Sequence, residues 1–204
     1  MNNFTRRGII FVLSAPSGTG KSTLCNNLRQ TPDFVYSVSC TTRPPRAGEE
    51  EGRDYYFLER KEFERKIANK DFLEYADVYG DYYGTLLSEA LKPISEGRDV
   101  LLEIEVQGAR LVRSHTNQEV RDALVDVFIM PPTLGELERR LRKRGTETEE
   151  QIQKRLKISA QEMLLWKDYK YTILSGSMEE DLTKFRAIMR AEHYLSRRLE
   201  LQHV

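Results

Sequence analysis

Residues 15–22 read Ala15-Pro16-Ser17-Gly18-Thr19-Gly20-Lys21-Ser22. This spacing suits the binding of phosphates. Two glycines let the backbone curl so that successive N–H groups converge on phosphate oxygens. A helix starting near Lys21 would point its positive end at the same oxygens. Lys21 would reach the β- and γ-phosphates, and the Ser22 hydroxyl would hold Mg²⁺. The strict pattern begins with glycine; Ala15 can stand there if its φ is negative. The run Ile9-Ile10-Phe11-Val12-Leu13 precedes the loop and a helix-compatible stretch, Thr23 to Gln30, follows it. Strand, glycine loop and helix in that order identify a nucleotide-binding P-loop.

Further chemistry gathers between about 37 and 90. Thr41-Thr42-Arg43-Pro44-Pro45-Arg46 holds two arginines three apart, stiffened by two prolines. Rigid guanidinium forks suit a phosphate gripped in one orientation. Tyr55 and Tyr83 could add hydroxyl donors. Glu74 lies in an aromatic stretch, Phe72-Leu73-Glu74-Tyr75. A partly buried carboxylate needs donors; guanine offers N1–H and an N2 amino group side by side, and adenine offers neither.

A third cluster is Arg139, Arg140, Arg142, Lys143 and Arg144. Arg140 and Arg144 share a helix face, and Arg155 follows on the next helix. Such a basic face serves phosphoryl transfer, where negative charge shifts between oxygens. Arg139, Arg142 and Lys143 read instead as solvated partners of Glu136 and Glu138. Leu102-Glu103-Ile104-Glu105-Val106 offers two carboxylates at alternate positions, expected on one face of a strand.

The elements that position these groups follow from hydrophobic patterning. Gly8–Ser14, Val100–Val106 and Leu124–Met130 are apolar on both faces, with a weaker run at Tyr171–Leu174. Strands buried on both sides belong to parallel sheets. Helical stretches are expected at roughly 21–30, 107–114, 133–144, 148–167 and 178–200. The alternation defines an α/β fold: a P-loop parallel sheet core flanked by helices. Thr146 with Glu149, or Thr148 with Gln151, would make a capping box.

The chain has 204 residues, 39% of them apolar and 31% charged, enough for one good core. Lysine plus arginine equals aspartate plus glutamate at 32 each. That balance argues against a dedicated nucleic-acid binder. No apolar run approaches the length of a membrane span, and no secretory signal is read, so a cytoplasmic enzyme is expected. Cys25 and Cys40 form no disulfide framework; Cys25 reads as core packing, as does Trp166. The histidines (His115, His193, His203) are not needed by this chemistry.

Taken together these residues resemble the guanylate kinases, bacterial enzymes above all, from about residue 8 to 195. The resemblance rests on Ser14–Ser22, Thr41–Glu49, Tyr82-Tyr83-Gly84-Thr85, Gln107-Gly108 and Arg144–Glu150. It implies a core (1–36, 91–132, 157–204), a mixed GMP-binding insertion (37–90) and a helical lid (133–156). It implies Mg²⁺-dependent transfer from ATP to GMP, with dGMP as a further acceptor, and neither nucleic acid nor membrane as partner; a homo-oligomer stays open. Ala15 to Thr23 (Ala15, Pro16, Ser17, Gly18, Thr19, Gly20, Lys21, Ser22, Thr23) would bind ATP. Ser39, Arg43, Arg46, Glu49, Tyr55, Glu74, Tyr83, Thr85 and Glu105 would bind GMP. Lys21, Arg140, Arg144 and Arg155 would surround the transferred group, with Ser22 and, through water, Glu103 at the metal. The chain departs from the family at Glu103-Ile104-Glu105, where Asp-Ile-Asp is usual, and at Ser175-Gly176-Ser177, where Asn-Asp is usual and an adenine contact is expected.

Overall fold

The computed structural model describes residues 4–78, 80–145 and 148–201, with Arg144 described only as part of its helix. In chain order the elements are β1 (Phe4–Arg6), β2 (Ile10–Ser14), α1 (Lys21–Arg29), β3 (Val35–Tyr36), β4 (Ser39–Thr41), β5 (Tyr55–Phe57) and α2 (Arg60–Ala68). Next come β6 (Phe72–Val78), β7 (Asp81–Leu86), α3 (Leu87–Ser95), β8 (Val100–Glu103), α4 (Val106–Arg113), α5 (Gln118–Ala123) and β9 (Leu124–Met130). The chain continues through α6 (Leu134–Arg144), α7 (Glu149–Met163), β10 (Tyr171–Leu174), α8 (Met178–His193) and β11 (Leu199–Leu201).

Five parallel strands form the main sheet in the order β10-β9-β2-β8-β3. The central strand β2 explains why its sequence is apolar throughout. Ile10 and Val12 face one core with Ile94, Val112 and Phe128. Ile9, Phe11 and Leu13 face the other with Leu24, Cys25, Leu28 and Phe185. Alternating side chains thus fill two layers. Phe11 meets Phe185 edge to face, ring centres 5.6 Å apart.

A second, separate sheet has the order β5-β4-β7-β6. Its own core is Cys40, Phe63 and Phe72, with Phe63 stacked on Phe72 at 4.3 Å. A register shift between Phe72 and Glu74 marks a bulge in β6 opposite β7.

Three expectations need correction. The strand expected to run to Val106 ends at Glu103, and Glu105 is already the cap residue of α4. Glu103 and Glu105 therefore do not share a strand face. The helix expected over 178–200 ends at His193; after a 3₁₀ turn the chain forms β11, antiparallel to β1. Buried Arg198 anchors that reversal, donating to Glu192 Oε2 at 3.1 Å and to Asp122 O at 3.0 Å. The helix expected to run to 167 tightens into a 3₁₀ turn after Met163, and Trp166 stays 41% exposed instead of packing. Helices α2, α3 and α5 were not foreseen. Thr148 and Gln151 form the capping box of α7; the alternative box required Thr146, outside the described residues. Among the described residues no helix is long and apolar enough to cross a membrane.

Candidate active site

The loop after β2 takes the conformation its glycines allow. Gly18 and Gly20 have φ of 91° and 106°, values that carry a penalty for any residue with a Cβ. Ala15 is buried and is not among the residues of positive φ, as its side chain requires. The Thr19 hydroxyl donates to Pro16 O at 2.7 Å and closes the curl. α1 then starts at Lys21 with Gly20 as its cap residue, leaving first-turn N–H groups at the loop. Lys21 Nζ donates to Ile104 O at 3.0 Å and stands 3.4 Å from Glu105 Oε1. Ser22 Oγ donates to Glu103 Oε1 at 2.6 Å, and Tyr36 Oη reaches Glu103 Oε2 at 3.3 Å.

Two helices bring arginines to this loop. Arg140 on α6 donates to Thr19 O at 2.7 Å, to Ser175 Oγ at 3.2 Å and to Glu136 Oε1 at 2.8 Å. Arg139 and then Arg140 hold the Glu136 carboxyl down at about 2. Arg155 on α7 donates to Ser17 Oγ at 3.3 Å. Arg139 and Arg142 pair with Glu136, Glu138 and Glu149 on the surface. The Arg144 side chain, Thr146, Glu147 and His203 lie outside the described residues. Sequence reasoning missed Glu162 on α7. Its pKa is raised by burial and by Glu105. It accepts from the Ser17 N–H, while its Oε2 is buried without a partner among the described residues.

The second sheet carries the other group. Arg43 forks onto Glu49, Nη1 to Oε2 at 2.9 Å and Nη2 to Oε1 at 3.0 Å, and its Nε donates to Tyr83 Oη at 3.2 Å. Arg46 N also donates to Glu49, at 2.7 Å. The Arg43 fork, then Arg46 N–H, pulls the Glu49 carboxyl down to about 2. Glu49 thus aligns the Arg43 fork, while the Arg46 side chain is exposed. Glu74 is 8% exposed and accepts from Thr85 Oγ1 at 2.8 Å. Burial raises its pKa, and the Thr85 bonds offset part of that.

Two cavities result. One of about 440 Å³ runs from Gly18–Gly20 and Thr23 to Arg140, Ser175 and Asp181. A smaller one of about 120 Å³ is lined by Ser39, Tyr55, Thr85 and Glu103, with Arg29 and Tyr36, two further residues not singled out from sequence. Glu103 lines the second cavity and touches Ser22 of the P-loop, so it stands at the junction. Glu105, expected at guanine, turns instead to Lys21 with its side chain 70% exposed.

A P-loop, a hydroxyl–carboxylate pair and basic groups between two cavities define a P-loop phosphotransferase of the nucleotide kinase class. The guanylate kinase family model matches residues 7–192. The guanylate kinase of Clostridium tetani is 43% identical over 186 residues, covering 91% of this chain and 87% of that one. That of Carboxydothermus hydrogenoformans is 43% identical over 194 residues, covering 95% and 93%. The crystal structure of guanylate kinase from Anaplasma phagocytophilum superimposes with a TM-score of 0.76 at 35% identity, covering 97% of this chain and 93% of that one. The chain belongs to the guanylate kinase family.

Proposed function

We propose that the chain transfers the γ-phosphoryl group of ATP to the phosphate of GMP, giving ADP and GDP. One observation carries the choice of acceptor. Among the described residues, the buried Glu74 carboxylate has one side-chain partner, Thr85, which lines the smaller cavity. Such a group favours a base edge with two adjacent donors, and guanine has one.

The P-loop, Ala15 to Thr23, holds the donor phosphates. Lys21 neutralises charge on them, and Arg140, Arg155 and Arg144 stabilise charge on the transferred group. Arg43, Arg46, Tyr55 and Tyr83 grip the acceptor phosphate, with Glu49 aligning Arg43. Ser39, Glu74 and Thr85 take the base, and Glu105 stays with Lys21. Ser22 Oγ and Glu103, 2.6 Å apart, are hard oxygen donors that fit Mg²⁺, an ion that enters with substrate phosphates and keeps most of its waters. When bound, the ion screens the phosphates and polarises the bond that breaks. Residues 37–90 form the acceptor-binding insertion and 133–156 the arginine-bearing lid.

A coupled ADP-release assay with GMP, dGMP, AMP, dUMP and ribose 1,5-bisphosphate tests the reading. Turnover is expected with GMP and dGMP. Equal use of AMP or of the ribose phosphate would overturn the base assignment.

A further inference from the structure

The larger cavity contains a group that the phosphate chemistry leaves unused. Asp181 stands in the first turn of α8, is 5% exposed and lines the 440 Å³ cavity. A buried carboxylate is tolerated when its oxygens are partnered. Oδ2 accepts from Ser175 Oγ at 3.0 Å and Oδ1 from Gly176 N at 2.9 Å. Lys184 Nζ is 3.8 Å from Oδ1 but donates to Leu174 O at 2.7 Å. Ser175 Oγ in turn accepts from Arg140, which also holds Thr19 O. One hydrogen-bonded chain therefore runs from Asp181 through Ser175 and Arg140 to the P-loop.

An ionised carboxylate accepts about four hydrogen bonds. Among the described residues Asp181 accepts one on each oxygen, so the plane of the group is fixed and acceptor capacity remains. Among the described residues lining the cavity it is the sole carboxylate; the other polar side chains are the hydroxyls of Thr19, Thr23 and Ser175 and the cations of Arg140 and Lys143. The Thr19 and Ser175 hydroxyl protons are already spent, on Pro16 O and on Asp181. No amide side chain stands at 175–177 to read a base.

We propose that Asp181 selects the donor base by accepting the exocyclic amino group of adenine. The proposal rests on the reading that the P-loop side takes the nucleoside triphosphate. A purine with an amino group at C6 presents a donor to this carboxylate. A purine with an oxo group there presents a second acceptor, which leaves a buried charge facing a lone pair.

The test uses wild-type enzyme with saturating GMP and three donors that differ at C6: ATP, purine riboside triphosphate (no substituent) and ITP (oxo). The expected order of kcat/KM is ATP, then purine riboside triphosphate, then ITP, with ITP about 10²-fold below ATP. D181N offers an amide that can accept from Gly176 N and donate to an oxo group. It should narrow the ATP-to-ITP gap to within about 5-fold, with the affinity for GMP, measured by calorimetry, kept. Equal use of ATP and ITP by wild type would overturn the proposal whether or not the variant folds. A folded D181N with the full gap would also overturn it. Failure of all three donors to phosphorylate GMP would instead sink the parent reading, and this proposal with it.

Discussion

A Cβ placed on Gly108 would stand 2.9 Å from Glu74 Oε2. Gly108 lies in α4 of the core, and Glu74 lies in β6 of the second sheet. Glycine inside a helix costs about 1 kcal/mol relative to alanine, yet here it opens the space that the carboxylate fills. Gly108→Ala should push Glu74 off its position without touching the P-loop. KM for GMP should rise by about 10-fold or more, the scale of a misaligned charged hydrogen bond, with kcat at saturation little changed. Initial rates against GMP concentration decide it, and an unchanged KM would refute the contact's role.

Glu74 itself couples stability to pH. Burial raises its pKa, so the folded chain keeps the proton where the unfolded chain, at the ordinary 4.5, has lost it. This contribution is fully present below the unfolded value and is lost as pH climbs through the folded pKa. Glu74→Gln removes that loss. Its melting temperature should exceed wild type at pH 8 and match it near pH 4. KM for GMP should rise at least about 10²-fold, because the site loses an acceptor matched to guanine. A variant that neither gained stability nor lost GMP would refute both claims.

Lys21 is held between Ile104 O and Glu105, next to the curl of the loop. Lys21→Met should lower kcat by about 10²-fold or more, the scale of one lost transition-state contact. The dissociation constant for GMP, taken by calorimetry without ATP, should stay within a few-fold of wild type. Normal turnover by the folded variant would remove Lys21 from the chemistry.

Arg43 and Glu49 should part in magnitude. Arg43→Ala deletes the fork and should weaken GMP binding by about 10–10²-fold, the value of one or two charge-assisted bonds. Glu49→Gln keeps the shape and removes the charge, so the guanidinium is held less firmly and the loss should be smaller. Equal losses in the two variants would mean that the carboxylate does more than align its partner.

The phosphate loop was legible because its function depends on eight consecutive residues, and local spacing decides local backbone. The parallel strands were legible because burial on both faces removes polar residues from Phe11 and its neighbours. The capping box at Thr148 needed only three intervening bonds of sequence. The pairing of Arg43 with Glu49 was not foreseen, although both residues were marked, because nothing local says that a carboxylate will face inward. Glu105 was placed on a strand face, but strand β8 ends three residues before Val106, where Ile104 N donates to Leu13 O. The partners of Asp181 lie five and six residues away in sequence, but its cavity is closed by Arg140, brought by a different helix. Glu162 and the β1–β11 pairing likewise depend on contacts between distant segments.

Gly18 lies under Leu137 and Leu141, whose side-chain carbons would stand 2.7–3.1 Å from a Cβ added there. Both leucines are fully buried. Lifting α6 away would return two leucines to water, at about 1.5–3 kcal/mol each, and would uncover the loop backbone. Nucleotide entry by that route is therefore expensive. The arginine-bearing helix α6 is thus fastened to the phosphate loop by two leucines as well as by Arg140.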